Sequence, residues 1–274
     1  RAKSVAFKPG AGNFHDIPLN FFLGPDHWHK LYPIAKGKNQ SPIEINSKDV
    51  HYDPSLLPWF VGYDPVGART IANNGRTCKV VFDDTFDRSG YGPLTGIYRL
   101  RQLHFHWGSS NDHGSEHIVD GVKYAGELHL VHWNPKYSNY AEALRKYDGV
   151  TILGIFLILA HNIPVLLKRF LFYLIKGKEA PFSNFDPSIL FPKSWDYWTY
   201  HGSFTTPPCE ECVTWILLRE PIVISPDQVN FSWTLVSLLS WFSPSLKLFI
   251  YMPSPSLTLS IRKTPTGVSG NLYE

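Results

Sequence analysis

The chain has 274 residues, of which 43% are hydrophobic, 15% aromatic and 18% charged. This content of bulky apolar residues excludes a disordered chain and fits one large domain, since β-rich domains often exceed about 200 residues. The formal net charge is only +3 and no basic run is present, which argues against nucleic-acid binding.

The cysteine content and the N-terminal residues favour a cytoplasmic protein. Cys78, Cys209 and Cys212 are too few for a disulfide framework, and the latter two have no second pair to complete a four-thiolate zinc site. Residues 1–10 lack the apolar segment of a secretory signal. Reduced cysteines and the absence of an export signal therefore predict the cytoplasm.

Two uncharged apolar stretches, residues 149–167 and 228–246, have about the length of a membrane span. Proline and several polar residues within them make a spanning helix unfavourable. We therefore expect buried core segments and no membrane association.

In chain order, residues 1–40 are rich in glycine, proline and aromatic residues, and they predict irregular chain. Strand patterns then dominate up to about residue 135. The predicted elements are strands at 78–82, 98–107, 127–133, 150–159 and 213–218 and a short helix at 140–147. The polar segment 108–121 predicts a loop with a short strand inside it, which makes the strands on either side of it neighbours.

Two of these strands carry three histidines that can face one another. Residues two apart in a strand point to the same side, so His104 and His106 project together and His129 can meet them from the next strand. Three neutral nitrogen ligands with a fourth position open describe a catalytic zinc site. Since the chain has 12 histidines, two histidines with ordinary hydrogen bonds are the alternative interpretation.

Each of the two strands also carries a polar residue two positions before a histidine. Gln102 precedes His104, and Glu127 precedes His129. Because each pair shares a strand face, the polar side chain can accept the second N–H of the ring and orient it. The alternative is an ordinary polar residue on a solvated face.

Six motifs resemble those of α-class carbonic anhydrases and follow one another in the family's order. They are Gly-Pro-Asp-His-Trp (24–28), Asn-Gln-Ser-Pro-Ile (39–43), Gln-Leu-His-Phe-His-Trp-Gly (102–108), Gly-Ser-Glu-His (114–117), Glu-Leu-His-Leu-Val-His-Trp (127–133) and Asp-Tyr-Trp-Thr-Tyr-x-Gly-Ser-Phe-Thr-Thr-Pro-Pro (196–208). Together with the surrounding sequence, the resemblance covers about residues 24–228.

This resemblance implies a mostly β (α+β) fold, with one domain over residues 1–274 built on a twisted, mostly antiparallel ten-stranded sheet with short peripheral helices. It implies Zn²⁺ as cofactor and the reversible hydration of carbon dioxide to bicarbonate and a proton by zinc-bound hydroxide. The small-molecule partners are therefore carbon dioxide, water and bicarbonate, and we expect a monomer.

By resemblance, the three histidines named above are the zinc ligands, and Thr205 orients the hydroxide while donating to Glu116. An ionised carboxylate can only accept, which fixes the direction of that hydrogen bond. His117 and His132 match buried structural positions. The residues implied to line the substrate pocket are Val131, Ile152, Phe204, Thr206 and Trp215.

Phe204, Arg101 and the pattern of Cys78, Cys209 and Cys212 resemble those of a slow, cytosolic muscle form of the family. Arg76 stands where fast members have a proton-shuttle histidine, and an arginine with a pKa above about 12 cannot accept a proton near neutrality. Phe204, where many members have leucine, narrows the site. Lys79 and Arg101 add positive charge to the cleft, which lowers the pKa of zinc-bound water. Ordinary surface charge is the alternative for Arg76 and Lys79.

Three segments depart from the family pattern. Ile17 and Leu19 replace a short Trp-x-Tyr element, and Pro164 interrupts an expected helix. Residues 229–274 form a divergent tail, in which we expect the last strands to be missing. In the family, a backbone carbonyl from that tail orients the histidine that matches His106. A catalytically impaired binding protein and an incompletely folded variant are therefore the alternatives to an enzyme.

Overall fold

A computed structural model of the chain describes residues 24–73, 77–85, 88–108, 110–159, 178–224 and 260–262. Predictions for Ile17, Leu19, Arg76, Pro164 and most of the tail lie outside these residues. Within them, the chain forms fourteen strands and two short helices, which confirms the mostly β class.

The strands are β1 (Glu44–Ile45), β2 (His51–Tyr52), β3 (Trp59–Gly62), β4 (Ala68–Asn73), β5 (Cys78–Phe82), β6 (Arg88–Tyr91), β7 (Arg99–Trp107), β8 (Ile118–Val119), β9 (Gly126–Trp133), β10 (Val150–Leu159), β11 (Lys178–Pro181), β12 (Tyr197–Gly202), β13 (Val213–Ile224) and β14 (Ser260–Arg262). The helices are α1 (Pro25–Trp28) and α2 (Tyr140–Ala143), and 3₁₀ turns occur at Pro33–Lys36, Pro65–Gly67 and Pro187–Leu190.

Ten strands form one sheet in the order β11-β4-β5-β7-β9-β10-β13-β12-β14-β2. Its neighbours are antiparallel except for the β10–β13 and β14–β2 pairs, which are parallel. Two small sheets, β1 with β8 and β3 with β6, lie beside it in the described residues. The predicted ten-stranded, mostly antiparallel sheet is therefore confirmed.

Most predicted elements agree with the structure, and the differences concern their ends. Strands β5 and β10 have the predicted bounds, and β8 is the short strand predicted inside the 108–121 loop. The predicted helix at 140–147 is only four residues long. Strand β13 continues to Ile224, because its last residues pair with Leu157–Leu159 at the end of β10.

One strand comes from the divergent tail. Residues Ser260–Arg262 pair antiparallel with β12, and Ser260 and Ile261 pair parallel with β2. The expectation that the tail supplies no strand is therefore wrong. Strand pairing uses backbone N–H and C=O groups, which every residue type except proline carries in full, so a divergent sequence can still occupy this position.

The sheet is buried on both faces where the histidines lie. All eight residues of β9 are buried. On the face opposite the histidines, Leu103 packs with Leu128 and Leu130 in one apolar cluster, and on the histidine face Val131 belongs to a second cluster with Trp215. Packing on both sides fixes the strands that carry the site.

Within the described residues, no helix is both long and apolar enough to cross a membrane. Of the two uncharged apolar stretches, residues 150–159 form the buried strand β10. The stretch at 228–246 lies outside the described residues.

Truncation of Leu103 tests the packing beneath the histidines. Its side chain is 0% exposed, and Leu103→Ala should lower the free energy of unfolding by about 2–5 kcal/mol because it leaves a cavity. Urea denaturation measures this loss. The control Val66→Ala, at a side chain 62% exposed, should change it by no more than about 0.5 kcal/mol. Equal effects would contradict a close-packed core at this position.

Candidate metal centre and active site

The register between β7 and β9 brings three histidines together. His104 lies directly opposite His129 in the antiparallel pair, and His106 lies two residues further along β7. The three ring centroids are 4.5–5.2 Å apart. The predicted convergence of the histidines on one face of the sheet is therefore confirmed.

Two of the rings are held from outside by the polar residues noted in the sequence. Gln102 Oε1 lies 2.9 Å from Nδ1 of His104, and Glu127 Oε1 lies 2.7 Å from Nε2 of His129. An oxygen acceptor at one ring nitrogen places the proton there and leaves a lone pair on the other. Nε2 of His104 and Nδ1 of His129 are therefore free to bind.

The donor set fits zinc. One nitrogen from each of the three rings lies within 4.8 Å of the others, and the Nε2 atoms of His104 and His106 are 3.0 Å apart. Two nitrogens bound to one tetrahedral zinc would be about 3.3 Å apart. Lone pairs that face each other at this distance repel unless a cation or a proton lies between them.

A second group, His117 with Glu127 and His129, also has ligand atoms within 4.8 Å of one another. It fits a metal less well. Both oxygens of Glu127 already accept hydrogen bonds, and Nε2 of His129 is used in one of them. The three histidines of β7 and β9 are therefore the better metal centre.

Burial keeps the β7 histidines neutral. It lowers the pKa of His104 well below its ordinary value, helped by the neighbouring rings of His106 and His129. Burial likewise lowers the pKa of His106 to about 4, against an opposing effect of Glu116. A neutral imidazole has the lone pair that a metal needs, so both rings are competent ligands at neutral pH.

Glu127 is a fully buried carboxylate that four donors satisfy. Its Oε1 accepts from His129 and from Nδ1 of His117, each at 2.7 Å, and its Oε2 accepts from the backbone N–H groups of Glu116 and His117 at 2.9 Å. Burial alone would raise its pKa, but the two imidazoles hold the pKa of Glu127 well below its usual range. It therefore stays ionised and fixes the His129 ring.

The network continues through residues to which the sequence analysis assigned no role. The Tyr200 hydroxyl lies 2.6 Å from Nε2 of His117 and 2.9 Å from Oγ of Ser41. Both residues lie inside the family motifs, at 39–43 and 196–208, and this inclusion was the signal that could have found them. His117 and His132 are buried, as predicted.

Glu116 faces the histidines rather than Thr205. Its Oε1 lies 3.3 Å from Nδ1 of His106 and its Oε2 lies 3.9 Å from Nδ1 of His129. Oε2 is buried and has no hydrogen-bond partner among the described residues. The expected hydrogen bond from Thr205 is therefore not formed, because the carboxylate is turned toward the two rings.

Comparison with known proteins agrees with this geometry. The eukaryotic-type carbonic anhydrase family matches residues 23–239 of the chain. The chain belongs to this family. It is 65% identical to carbonic anhydrase 3 of Rattus norvegicus and 63% identical to carbonic anhydrase 3 of Homo sapiens, in each case over 211 residues that cover 75% of this chain and 81% of the relative. Carbonic anhydrase 1 of Monodelphis domestica is 53% identical over 212 residues, with the same coverage.

Carbonic anhydrases are zinc enzymes that hydrate carbon dioxide, and the chain is accordingly a carbonic anhydrase. Identity is higher to the two relatives named carbonic anhydrase 3 than to carbonic anhydrase 1, which agrees with the form that the sequence resembles. The family match also continues past Gln228, where the sequence motifs end.

Among the pocket residues expected in a carbonic anhydrase, three are brought together. Val131, Ile152 and Trp215 are buried in one apolar cluster, and the partly buried Phe204 packs against it. Thr206 is exposed. Four of the five residues therefore share one apolar region beside the metal centre.

The two cleft charges are placed differently. Lys79 lies opposite His104 in the β5–β7 pair, and burial lowers its pKa, with Glu179 opposing and Arg101 adding to the effect. Arg101 forms an ion pair of 2.7 Å with Asp84, and its guanidinium lies 4.4 Å from the Tyr140 ring centroid. Asp84 therefore compensates much of the positive charge of Arg101.

Acid should destabilise the metal-free protein. Burial lowers the pKa of both His106 and His132 to about 4, whereas histidines of the unfolded chain titrate near about 6.5. Below pH 6.5 the unfolded state therefore binds more protons, and the free energy of unfolding falls by about 1.4 kcal/mol per pH unit per histidine until about pH 4.

Urea denaturation of the chelator-treated protein between pH 6.5 and 5 measures this slope. His132→Gln should reduce it by the contribution of one histidine. An identical slope in wild type and His132→Gln would contradict the assignment.

Proposed function

We propose that the protein is a zinc-dependent carbonic anhydrase of low turnover in which His104, His106 and His129 hold the metal. The observation that carries this proposal is the convergence of three imidazoles, one buried and two partly buried, whose ring nitrogens lie close together. Bound zinc would supply a Lewis acid that activates water at neutral pH.

The hydrogen-bond partners of the outer ring nitrogens determine the tautomer and the orientation of the ligand histidines. Gln102 and Glu127 hold the outer nitrogens of His104 and His129, so each ring keeps one tautomer and one orientation. Because Glu127 is itself fixed by backbone N–H groups, the His129 ring is held by an acceptor that cannot easily move.

The apolar wall provides the substrate pocket. Carbon dioxide is a small molecule without a net dipole, so Val131, Ile152 and Trp215 can hold it by dispersion contacts and by exclusion of water. Phe204 packs against the same wall and narrows the space for substrate and ordered water. We place Thr206 at the rim of this pocket, in keeping with its exposure.

Thr205 and Glu116 are our candidates for orienting the attacking oxygen. Oε2 of Glu116 is buried and without a partner among the described residues, so it can accept a hydrogen bond from the Thr205 hydroxyl. That bond would leave a Thr205 lone pair to align the nucleophile. This bond is not formed in this structure, so it requires a change of side-chain conformation.

Proton removal is the step we expect to be slow. Arg76 cannot accept a proton at neutral pH, so no side chain at this position can carry the proton to buffer. Lys79 opposite His104, together with Arg101, adds positive charge near the site and favours hydroxide over water.

We further propose a cytoplasmic monomer with a single domain over residues 1–274, in which the chain diverges from the family after residue 239. Support for the compartment comes from Cys78, Cys209 and Cys212, which are free and buried. A catalytically impaired binding protein is the alternative that the experiments below would reveal.

Stopped-flow measurement of carbon dioxide hydration tests the proposal. Removal of zinc should abolish activity and its return should restore it, while His129→Ala should lower kcat/KM by more than about 100-fold because a ligand is lost. Activity that is unaffected by chelation would contradict it. A folded protein without activity in the presence of zinc would favour the binding protein.

Arg76→His tests proton transfer as the limiting step. A histidine can accept and release a proton near pH 7, so kcat should rise by about tenfold or more. The hydration step is unchanged, so kcat/KM should stay the same. Stopped-flow kinetics at low buffer concentration separates the two constants.

Two controls accompany this variant. Arg76→Ala removes the charge but adds no base, so its kcat should rise only when imidazole is added. Phe204→Leu changes the space beside the metal and should raise kcat/KM instead. No rise of kcat in Arg76→His would show that proton transfer is not limiting.

A further inference from the structure

His106 differs from the other two histidines in what faces its outer nitrogen. A side-chain amide holds His104, and a buried carboxylate with four donors holds His129. Among the described residues, the group that faces Nδ1 of His106 is Oε1 of Glu116, at 3.3 Å. The two groups are in ion-pair contact, and a well-aligned hydrogen bond between them is not formed in this structure.

The position of this carboxylate decides the tautomer of the ring. Nε2 of His106 lies 3.0 Å from Nε2 of His104 and points to the shared centre. For Nε2 to carry a lone pair in the neutral ring, the proton must be on Nδ1, where it needs an acceptor. Oε1 of Glu116 is within reach of that nitrogen.

Glu116 is also held in place. Its backbone N–H donates to Oε2 of Glu127 at 2.9 Å, and the side chain is only 14% exposed. The chain just before it is fixed by the N–H groups of Gly114 and Ser115, which both donate to the carbonyl of Tyr124. The carboxylate therefore approaches His106 from a rigid segment.

We propose that Glu116 is a positioning residue for His106, in the way that Gln102 and Glu127 are for the other two histidines. This inference rests on the proposed zinc site. It gives the two oxygens separate tasks: Oε1 holds the His106 ring, and Oε2 remains for Thr205. Glu127 then supports two ligands, His129 directly and His106 through the backbone of Glu116.

The test is the zinc dissociation constant, measured by competition with a chromophoric chelator. Glu116→Ala should weaken zinc binding by about 10–100-fold, as loss of an outer partner of a ligand histidine does. Glu116→Gln keeps an amide oxygen that can accept from Nδ1, so its loss should be clearly smaller. Thr205→Val should leave the constant unchanged, because no hydrogen bond joins Thr205 to a ligand ring among the described residues.

Two further measurements distinguish a positioning role of Glu116 from a role in the stability of the fold. The visible spectrum of the cobalt(II)-loaded protein should change in Glu116→Ala and not in Thr205→Val, since it reports ligand geometry. The urea midpoint of the metal-free protein should be similar in Glu116→Gln and wild type, which shows that the fold is intact.

If wild type binds zinc and Glu116→Ala binds it with the same affinity, the inference about Glu116 is overturned. The proposed zinc site would not be contradicted by that result. Equal losses in the alanine and glutamine variants would also overturn the inference, because the negative charge alone would then account for the effect. If wild type binds no zinc at all, the proposed function fails together with the inference.

Discussion

The cross-strand pairing of His104 with His129 is the constraint on which the rest of the structure depends. Side chains alternate between the two faces of a sheet, so a slip of one residue between β7 and β9 would move His129 to the opposite face. The register is held by apolar residues on that other face, where Leu103 pairs with Leu130 across the same two strands. The packing of the core and the geometry of the metal centre therefore have one origin.

Polar groups on the histidine face of the sheet fix the orientation of the side chains that the strand register brings together. A buried carboxylate is unfavourable unless it is paired and hydrogen-bonded, and Glu127 meets this condition with two imidazoles and two backbone N–H groups. The same hydrogen bonds fix the ring of His129 and the backbone of Glu116. The chain thus uses one buried charge to order two parts of the site.

The sequence alone predicted the features that depend on the two-residue alternation of side chains in a strand. The alternation of residues in β7 and β9 predicted the shared face of the three histidines, and the spacing of Gln102 and Glu127 predicted the outer contacts of His104 and His129. The apolar run of β10 predicted a buried strand with the observed bounds. These features follow from local geometry, which the order of residues contains.

Other features depend on contacts between distant segments, and local pattern could not supply them. Strand β13 is longer than predicted because β10 offers it further backbone partners, and Ser260–Arg262 joins the sheet through backbone pairing without a family motif. The direction of the Glu116 carboxylate depends on where two rings and a loop meet. The residue roles themselves came from family resemblance, since periodicity does not distinguish Thr205 from an ordinary turn residue.

The central claim is that the three histidines close around zinc in a chain whose C-terminal segment diverges from its family. It is tested most directly by elemental analysis of the monomer peak from gel filtration, after dialysis against a weak chelator. The account predicts about one zinc per chain, because three convergent imidazoles with fixed outer partners bind the metal tightly. A folded, monodisperse protein that retains no zinc would contradict it.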